Sequence, residues 1–447
     1  MSVAGPAQGS TGRQASAGRA AVKQVAPARA IRGSLRVPGD KSISHRAALF
    51  NALGEGEASI TNFSPGGDCA STLSCLESLG VEIERDDDRV HVKGIGLGGL
   101  REPADVLDCG NSGTSMRLLS GMLAGSGIFA VLSGDGSLRR RPMARIVEPL
   151  RRAGAAIDGR DGGRLAPLAI SPVSSLRGVE HRLSIASAQV KSALLLAGLF
   201  ARGETSVVEP APTRDHTERL LKAMGADVRQ TGHVVSLTPG RALRCVDVQV
   251  PGDFSSAAFW LVLGVLHPSA EIRVRDVGLN PSRTGLLTIL ERMGADVELE
   301  NARDAAGEPV ADVLVRSSQL HGVHVGGELV SLAIDEIPLV ALLGLFADGE
   351  TVVGEAGELR AKESDRLAVV ADGLSKLGAD IESTVDGWRI RRSRLEMGRA
   401  DSHGDHRMAM LFALAGALGD GAQIDGADSV SISYPSFWAD LLALSCG

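Results

Sequence analysis

Apolar residues recur along the chain in two alternating rhythms. Positions three and four apart, such as Ile43, Ala47, Phe50 and Leu53, predict helices with one buried face, and short β-branched runs between turn residues predict strands. One phrase occurs five times, at Leu79-Gly80-Val81, Ala153-Gly154-Ala155, Met224-Gly225-Ala226, Met293-Gly294-Ala295 and Leu377-Gly378-Ala379. Each time an amphipathic stretch precedes the glycine and an alternating segment follows it. Glycine just past a helix is a C-terminal stop signal, so the phrase reads helix, turn, strand.

The five glycines are 74, 71, 69 and 84 residues apart. A second phrase, a small turn and then a β-branched strand, interleaves with the first at 57–61, 126–132, 204–208, 271–274, 350–353 and 422–424. Self-similarity at a fixed long period means one supersecondary unit used repeatedly. Each unit reads helix, strand, helix ending in glycine, then two strands. Six such units predict an α/β (α+β) chain of two domains with three units each, and the period favours compact pseudo-threefold domains over an open superhelix.

The chain has 447 residues and 44% hydrophobic content, enough for at least two sizeable cores. Its formal net charge is −7, and aromatic residues are 3% of the total. That argues against a nucleic-acid binder, which needs a basic footprint and stacking platforms. The five cysteines, Cys69, Cys75, Cys109, Cys245 and Cys446, are odd in number and never spaced CxxC, which points to a reducing cytoplasm without disulfides or zinc. Apolar runs such as 337–347 fall short of the roughly 18 residues a membrane span needs. Residues 1–30 are rich in Ala, Gly, Ser and Gln and carry no acidic residue, which predicts a disordered tail.

The polar clusters fall where helices begin. Lys41-Ser42-Ile43-Ser44-His45-Arg46, Asn111-Ser112-Gly113-Thr114, Ser187-Ala188-Gln189, Asp253-Phe254-Ser255-Ser256, Asp335-Glu336-Ile337-Pro338 and Asp405-His406-Arg407 open the first helices of the units. Arg141-Pro142, Arg214-Asp215-His216-Thr217, Pro281-Ser282-Arg283 and Lys362-Glu363-Ser364-Asp365-Arg366 open second helices. Helix N-termini offer unpaired N–H groups and a positive dipole end, so a ring of them suits a small polyanion. Asp68, Asp215, Asp253 and Asp405 read as helix caps. Lys41, Arg46, Arg117, Arg141, Arg214, Lys362, Arg366 and Arg407 are harder to explain structurally, because cations are unfavourable at that end unless an anion offsets them. Among them stand Asp335 and Glu363, able to serve as base and acid, although Glu363 has the spacing of an intrahelical ion pair with Arg366.

In this order, from Val37 to Trp438, these clusters resemble the enolpyruvyl transferases, and within them the branch that acts on shikimate 3-phosphate. Pro38-Gly39-Asp40-Lys41-Ser42-Ile43-Ser44-His45-Arg46, Gly110-Asn111-Ser112-Gly113-Thr114, Arg141-Pro142-Met143, Ser187-Ala188-Gln189-Val190-Lys191-Ser192 and Lys362-Glu363-Ser364-Asp365-Arg366-Leu367 carry the resemblance. The family's fold has two domains, each of three βαβαββ-type units, with the active site in the cleft between them. For this chain that implies residues 31–39 plus 253–447 as one domain and 40–252 as the other.

The reaction so implied adds the 5-hydroxyl of shikimate 3-phosphate to C2 of phosphoenolpyruvate and then expels phosphate, with no metal or organic cofactor, in a monomer. Carried over by position, Lys41, Ser42, Arg46, Ser187, Ala188, Gln189, Arg214, Asp335 and Lys362 are expected to bind shikimate 3-phosphate. Lys41, Gly113, Arg141, Gln189, Arg366 and Arg407 are expected to bind phosphoenolpyruvate, whose site the inhibitor glyphosate occupies in this family. Asp335 is expected to take the hydroxyl proton, and Glu363 with Lys41 to serve the methylene carbon. Ala188, Glu358 and Ile432-Ser433-Tyr434-Pro435 depart from one class of the family and fit its divergent bacterial class. Two alternatives are a sibling acting on UDP-N-acetylglucosamine, which would use a loop cysteine near residues 139–143, and a non-catalytic polyanion-binding repeat protein. Since basic termini come from both halves of the chain, closing the cleft is expected to crowd like charges.

Overall fold

The computed structural model describes residues 22–305 and 307–445, which form a mixed α/β fold. Five four-stranded sheets share one topology. In one, Ile31–Arg36 pairs parallel with Ala270–Gly278, which continues antiparallel through Glu308–Arg316 to Asp296–Ala305. The same order joins Val248–Gln249, Glu55–Thr61, Arg89–Ile95 and Glu82–Asp86, and it recurs around Ala130–Ser133, Thr205–Val208 and Glu350–Val353. A parallel pair needs a crossover and an antiparallel pair only a turn, so each unit uses a helix first and ends in a hairpin.

The sixth unit lacks that hairpin. Gly398–Asp401 pairs parallel with Ala422–Asp425, and the antiparallel place is taken by Lys23–Val25 from the other end of the chain. Within the expected tail, residues 22–30 are ordered: Lys23–Val25 is held as a strand, and His267 Nε2 donates to the Ala28 carbonyl oxygen at 3.1 Å. Residues 1–21 and Cys446 lie outside the described residues. The five helix-ending glycines all have positive φ, from 84° to 104°, a region open to glycine at little cost.

Buried apolar side chains gather into two cores, one from residues 25–37 and 254–444, the other from 43–250. The chain crosses between them twice, and the crossings lie side by side: Asp40 donates its N–H to the Pro251 carbonyl and Asp253 to that of Pro38, both at 2.8 Å. A Cβ at Gly39 would come within 1.8 Å of the Asn62 carbonyl oxygen, so only glycine permits this approach. Among the described residues no helix is long and apolar enough to cross a membrane.

Candidate functional site

The crossing strands deliver Lys41 and Asp253 to the mouth of a cleft lined from both cores. Helices opening on it include Lys41–Ala52, Gly113–Ala124, Ala188–Gly198, Arg366–Ser375 and His406–Leu418. Short polar side chains fasten the first turns of four of these helices, all but Ala188–Gly198, and that of Phe254–Leu266. Asp40 accepts from Ile43 N–H at 2.9 Å, Ser112 from Ser115 at 3.1 Å, Asp253 from Ser255 at 2.7 Å, Asp365 from Ala368 at 3.1 Å and Asp405 from Arg407 at 3.0 Å. Two of the expected caps do something else. Asp68 accepts from Lys41 Nζ at 3.0 Å, and Asp215 binds Arg219 at 2.8 Å and Asn280 at 2.6 Å.

Nine cations and six carboxylates line the cleft, a local excess of positive charge in an acidic chain. Lys41, Ser42, Gly113, Arg141, Ser187, Ala188, Gln189, Arg214, Asp335, Lys362, Glu363, Arg366 and Arg407 are all in its wall. Arg46 is not. It lies behind the wall, 2% exposed, donating to Thr217 Oγ1 at 2.8 Å, Ser192 Oγ at 2.7 Å and the Ser42 carbonyl at 2.9 Å. A helical side chain leans toward the N-terminus over the preceding turn, so Arg46 reaches the Ser42 carbonyl and braces the turn that presents Ser42.

Asp335 is the most heavily countered acid. Lys362 Nζ is 3.5 Å away, Arg366 NH1 3.3 Å and Arg283 NH1 4.0 Å, and Arg214 is in direct contact. Burial alone would push its carboxyl up, but Lys362, Arg214, Arg407 and Arg366 outweigh it and hold the group well below the usual carboxylate range. Glu363 makes the expected ion pair with Arg366, at 2.7 Å, and also faces Arg141 at 3.6 Å. Burial would raise its carboxyl, but Arg366, Arg141 and Lys41 together outweigh it and hold it ionised. Glu336, the neighbour of Asp335, goes the other way: burial raises it against the pull of Arg283.

Across the cleft the charges alternate rather than crowd. Arg141 meets Glu363, Arg145 meets Glu358 at 3.4 Å, Arg214 meets Asp335, and the Lys41 N–H points to Asp253 Oδ2 at 3.3 Å. The expected like-charge repulsion is thus offset by acids that the second half of the chain sets opposite the arginines of the first.

Sequence reasoning passed over Arg145, Arg283, His406 and Thr213 as site residues, though all four line the cleft. Arg145 lies in the first turn of the helix Ala144–Arg152, and a cation at a helix start is the same signal that marks Lys41 and Arg366. Arg117 was noted only as a cation; it donates to Gln189 Oε1 at 2.5 Å, and burial lowers it to about 10. Among the described residues no group of three or more His, Cys, Asp or Glu could hold a metal ion, and no cysteine lines the cleft.

A cleft with excess guanidinium groups, backbone N–H groups of helix starts and two ionised carboxylates can bind small polyanions and move protons between them. Comparison with known proteins agrees with that chemistry. The family model for EPSP synthase (3-phosphoshikimate 1-carboxyvinyltransferase) matches residues 25–441. A 3-phosphoshikimate 1-carboxyvinyltransferase of Roseiflexus castenholzii is 53% identical over 420 residues, 93% of this chain and 97% of its own. One from Geobacillus thermodenitrificans is 50% identical over 418 residues, 93% and 96%. A solved structure of EPSP synthase from Acinetobacter baumannii superposes with a TM-score of 0.84 at 44% identity, covering 94% of this chain and 97% of that one. The motifs, the shared topology and the match over nearly the whole described length lead to one conclusion: this chain belongs to the EPSP synthase family.

Proposed function

We infer that the cleft transfers the enolpyruvyl group of phosphoenolpyruvate to the 5-hydroxyl of shikimate 3-phosphate and releases phosphate. The observation that carries the reading is the pair of ionised acids set in a cationic wall, Asp335 against Arg214, Lys362 and Arg366, and Glu363 against Arg366 and Arg141. By themselves these cations make both acids weak bases. The carboxylates and phosphates of two anionic substrates compete for the same guanidinium and ammonium groups, so substrate binding withdraws countercharge and raises the basicity of both.

Asp335 then takes the proton from the 5-hydroxyl as its oxygen bonds to C2, while Glu363, protonated from solvent once its countercharge is withdrawn, gives that proton with the help of Lys41 to C3, the C2–C3 double bond supplying the electron pair. The adduct carries both substrates joined at a tetrahedral C2. In the second half Glu363 with Lys41 takes a proton back from C3, the C2–C3 double bond re-forms, and the bond from C2 to the phosphate oxygen breaks. Ser42, Ser187, Ala188, Gln189, Arg214 and Lys362 hold shikimate 3-phosphate, and Gly113, Arg141, Gln189, Arg366 and Arg407 hold phosphoenolpyruvate. Arg46 acts by bracing Ser42.

We place the two substrates between two domains, 31–39 with 253–447 and 40–252, each of three units about a pseudo-threefold axis. Two separate cores and the repeated sheet order support this. Phosphate release from phosphoenolpyruvate, measured with and without shikimate 3-phosphate, tests the function. Release strictly dependent on the second substrate is expected, and release indifferent to it would refute the assignment.

A further inference from the structure

Lys191 is one of the most deeply buried charges in the protein, its side chain 1% exposed on the helix Ala188–Gly198 whose start carries Ser187 and Gln189. It does not line the cleft. Its ammonium lies 2.8 Å from Glu209 Oε2 and 2.7 Å from Glu218 Oε1, both acids buried, and 3.5 Å from the Thr213 carbonyl. Thr213 closes the ring by donating its hydroxyl to Glu209. Glu209 follows the strand Thr205–Val208, and Glu218 lies in the first turn of the helix His216–Ala223. One ammonium therefore holds the end of a strand, the middle of a loop and the start of a helix. That loop carries Arg214, which reaches Ser42 Oγ at 3.4 Å and contacts Asp335.

We propose that Lys191 is a positioning residue for shikimate 3-phosphate binding: it clamps residues 209–218 so that Arg214 is held at the cleft wall in its binding pose. Two buried carboxylates around one ammonium are stable only as a set, since loss of the cation leaves uncompensated charge that separates by moving the loop. An apolar side chain at this point of the core would fill the volume equally well, so packing does not call for a charge here. Conformational registry of the Arg214 loop does. This rests on the function inferred above.

The test is a steady-state comparison of Lys191→Met, Lys191→Arg and the charge-balanced Lys191→Met/Glu218→Gln, which keeps one fewer unpaired acid in the core should the single variant fold poorly. In each folded Met variant KM for shikimate 3-phosphate is expected to rise by about tenfold or more, within the range that small misplacements cost. KM for phosphoenolpyruvate, measured at saturating shikimate 3-phosphate, should change by less than about threefold. Lys191→Arg should recover part of the loss. Adding Arg214→Met to a Lys191→Met variant should cost little more, because both act through one guanidinium. Equal changes in both KM values, a lowered melting temperature with unchanged kinetics, or fully multiplicative effects of the two substitutions would overturn the proposal. Wild-type protein that neither binds nor turns over shikimate 3-phosphate would instead overturn the function itself and the proposal with it.

Discussion

At Gly113 a single missing methyl group sets the distance between a helix start and two guanidinium groups. A Cβ there would lie 2.9 Å from Arg117 NH1 and 3.3 Å from Arg141 NH1. Both are ends of flexible side chains, so Gly113→Ala should fold and the arginines should shift. A ligand that fills the subsite more completely loses more by that shift, so the inhibition constant of glyphosate should rise by about tenfold or more and KM for phosphoenolpyruvate by a smaller factor, on the scale of one methylene in a fitted pocket. Equal factors, measured at saturating shikimate 3-phosphate, would show that Gly113 does not line the ligand site. At the two acids the expected effect falls on turnover. Asp335→Asn and Glu363→Gln should each lower kcat by about 10² or more while leaving substrate binding largely intact. A folded variant with near-normal kcat would reduce that acid to an ion-pair role.

The helices Gly113–Ala124 and Ala188–Gly198 show how elements transmit demands to the site. They touch backbone to backbone: a Cβ at Gly121 would fall 2.1 Å from the Ala193 carbonyl oxygen. At their cleft ends Gln189 Nε2 donates to Thr114 Oγ1 at 2.9 Å. Gly121→Ala must separate the pair, at a cost of about 1–3 kcal/mol for overpacking, and the separation should reach Gln189 and Arg117. Thermal unfolding should show a lower Tm, and kinetics a higher KM for phosphoenolpyruvate. An unchanged Tm would mean that the helices do not meet so closely. The helix openings themselves follow the local rules of capping, but only some of their polar residues cap. Asp68 and Asp215 have the right chemistry and spend it on Lys41 and on Arg219 with Asn280, because a charged partner within reach outbids a backbone N–H.

At the scale of the whole molecule, buried histidines make stability depend on pH. Burial, with Lys41 and Arg407 adding to it, lowers His406 to about 4. Burial with Lys41 and Arg46 holds His45 well below its ordinary value of 6.5. Both are therefore neutral in the folded state. As pH falls below 6.5 the unfolded chain gains protons there that the folded chain does not, so stability falls, by up to about 1.4 kcal/mol per pH unit for each histidine, until the folded-state value is reached. Above 6.5 neither contributes. Urea midpoints should drop between pH 7 and pH 5, and His406→Gln should flatten the drop. A midpoint that stays constant over that range, or one that drops equally in His406→Gln, would refute this account.

The amino-acid sequence by itself determined the elements and their repetition. Helix-ending glycines, β-branched strands and cations at helix starts act within a few residues of themselves, so Gly80, Gly154, Gly225, Gly294 and Gly378 take the left-handed conformation wherever the fold puts them. It also marked most of the cleft wall, since lysine and arginine at the positive end of a helix need an anion. Tertiary structure alone decided which way those side chains face and what they meet. Arg46 turns inward to Thr217 and Ser192 while Arg145, unmarked, reaches the cleft and Glu358. The strand Ile31–Arg36 leaves its neighbours in sequence to pair with Ala270–Gly278, and Lys23–Val25 completes the last sheet. Those pairings join residues hundreds of positions apart, and no local propensity encodes them; they exist because an unpaired sheet edge and an uncovered core must be satisfied by whatever strand the folded chain brings near.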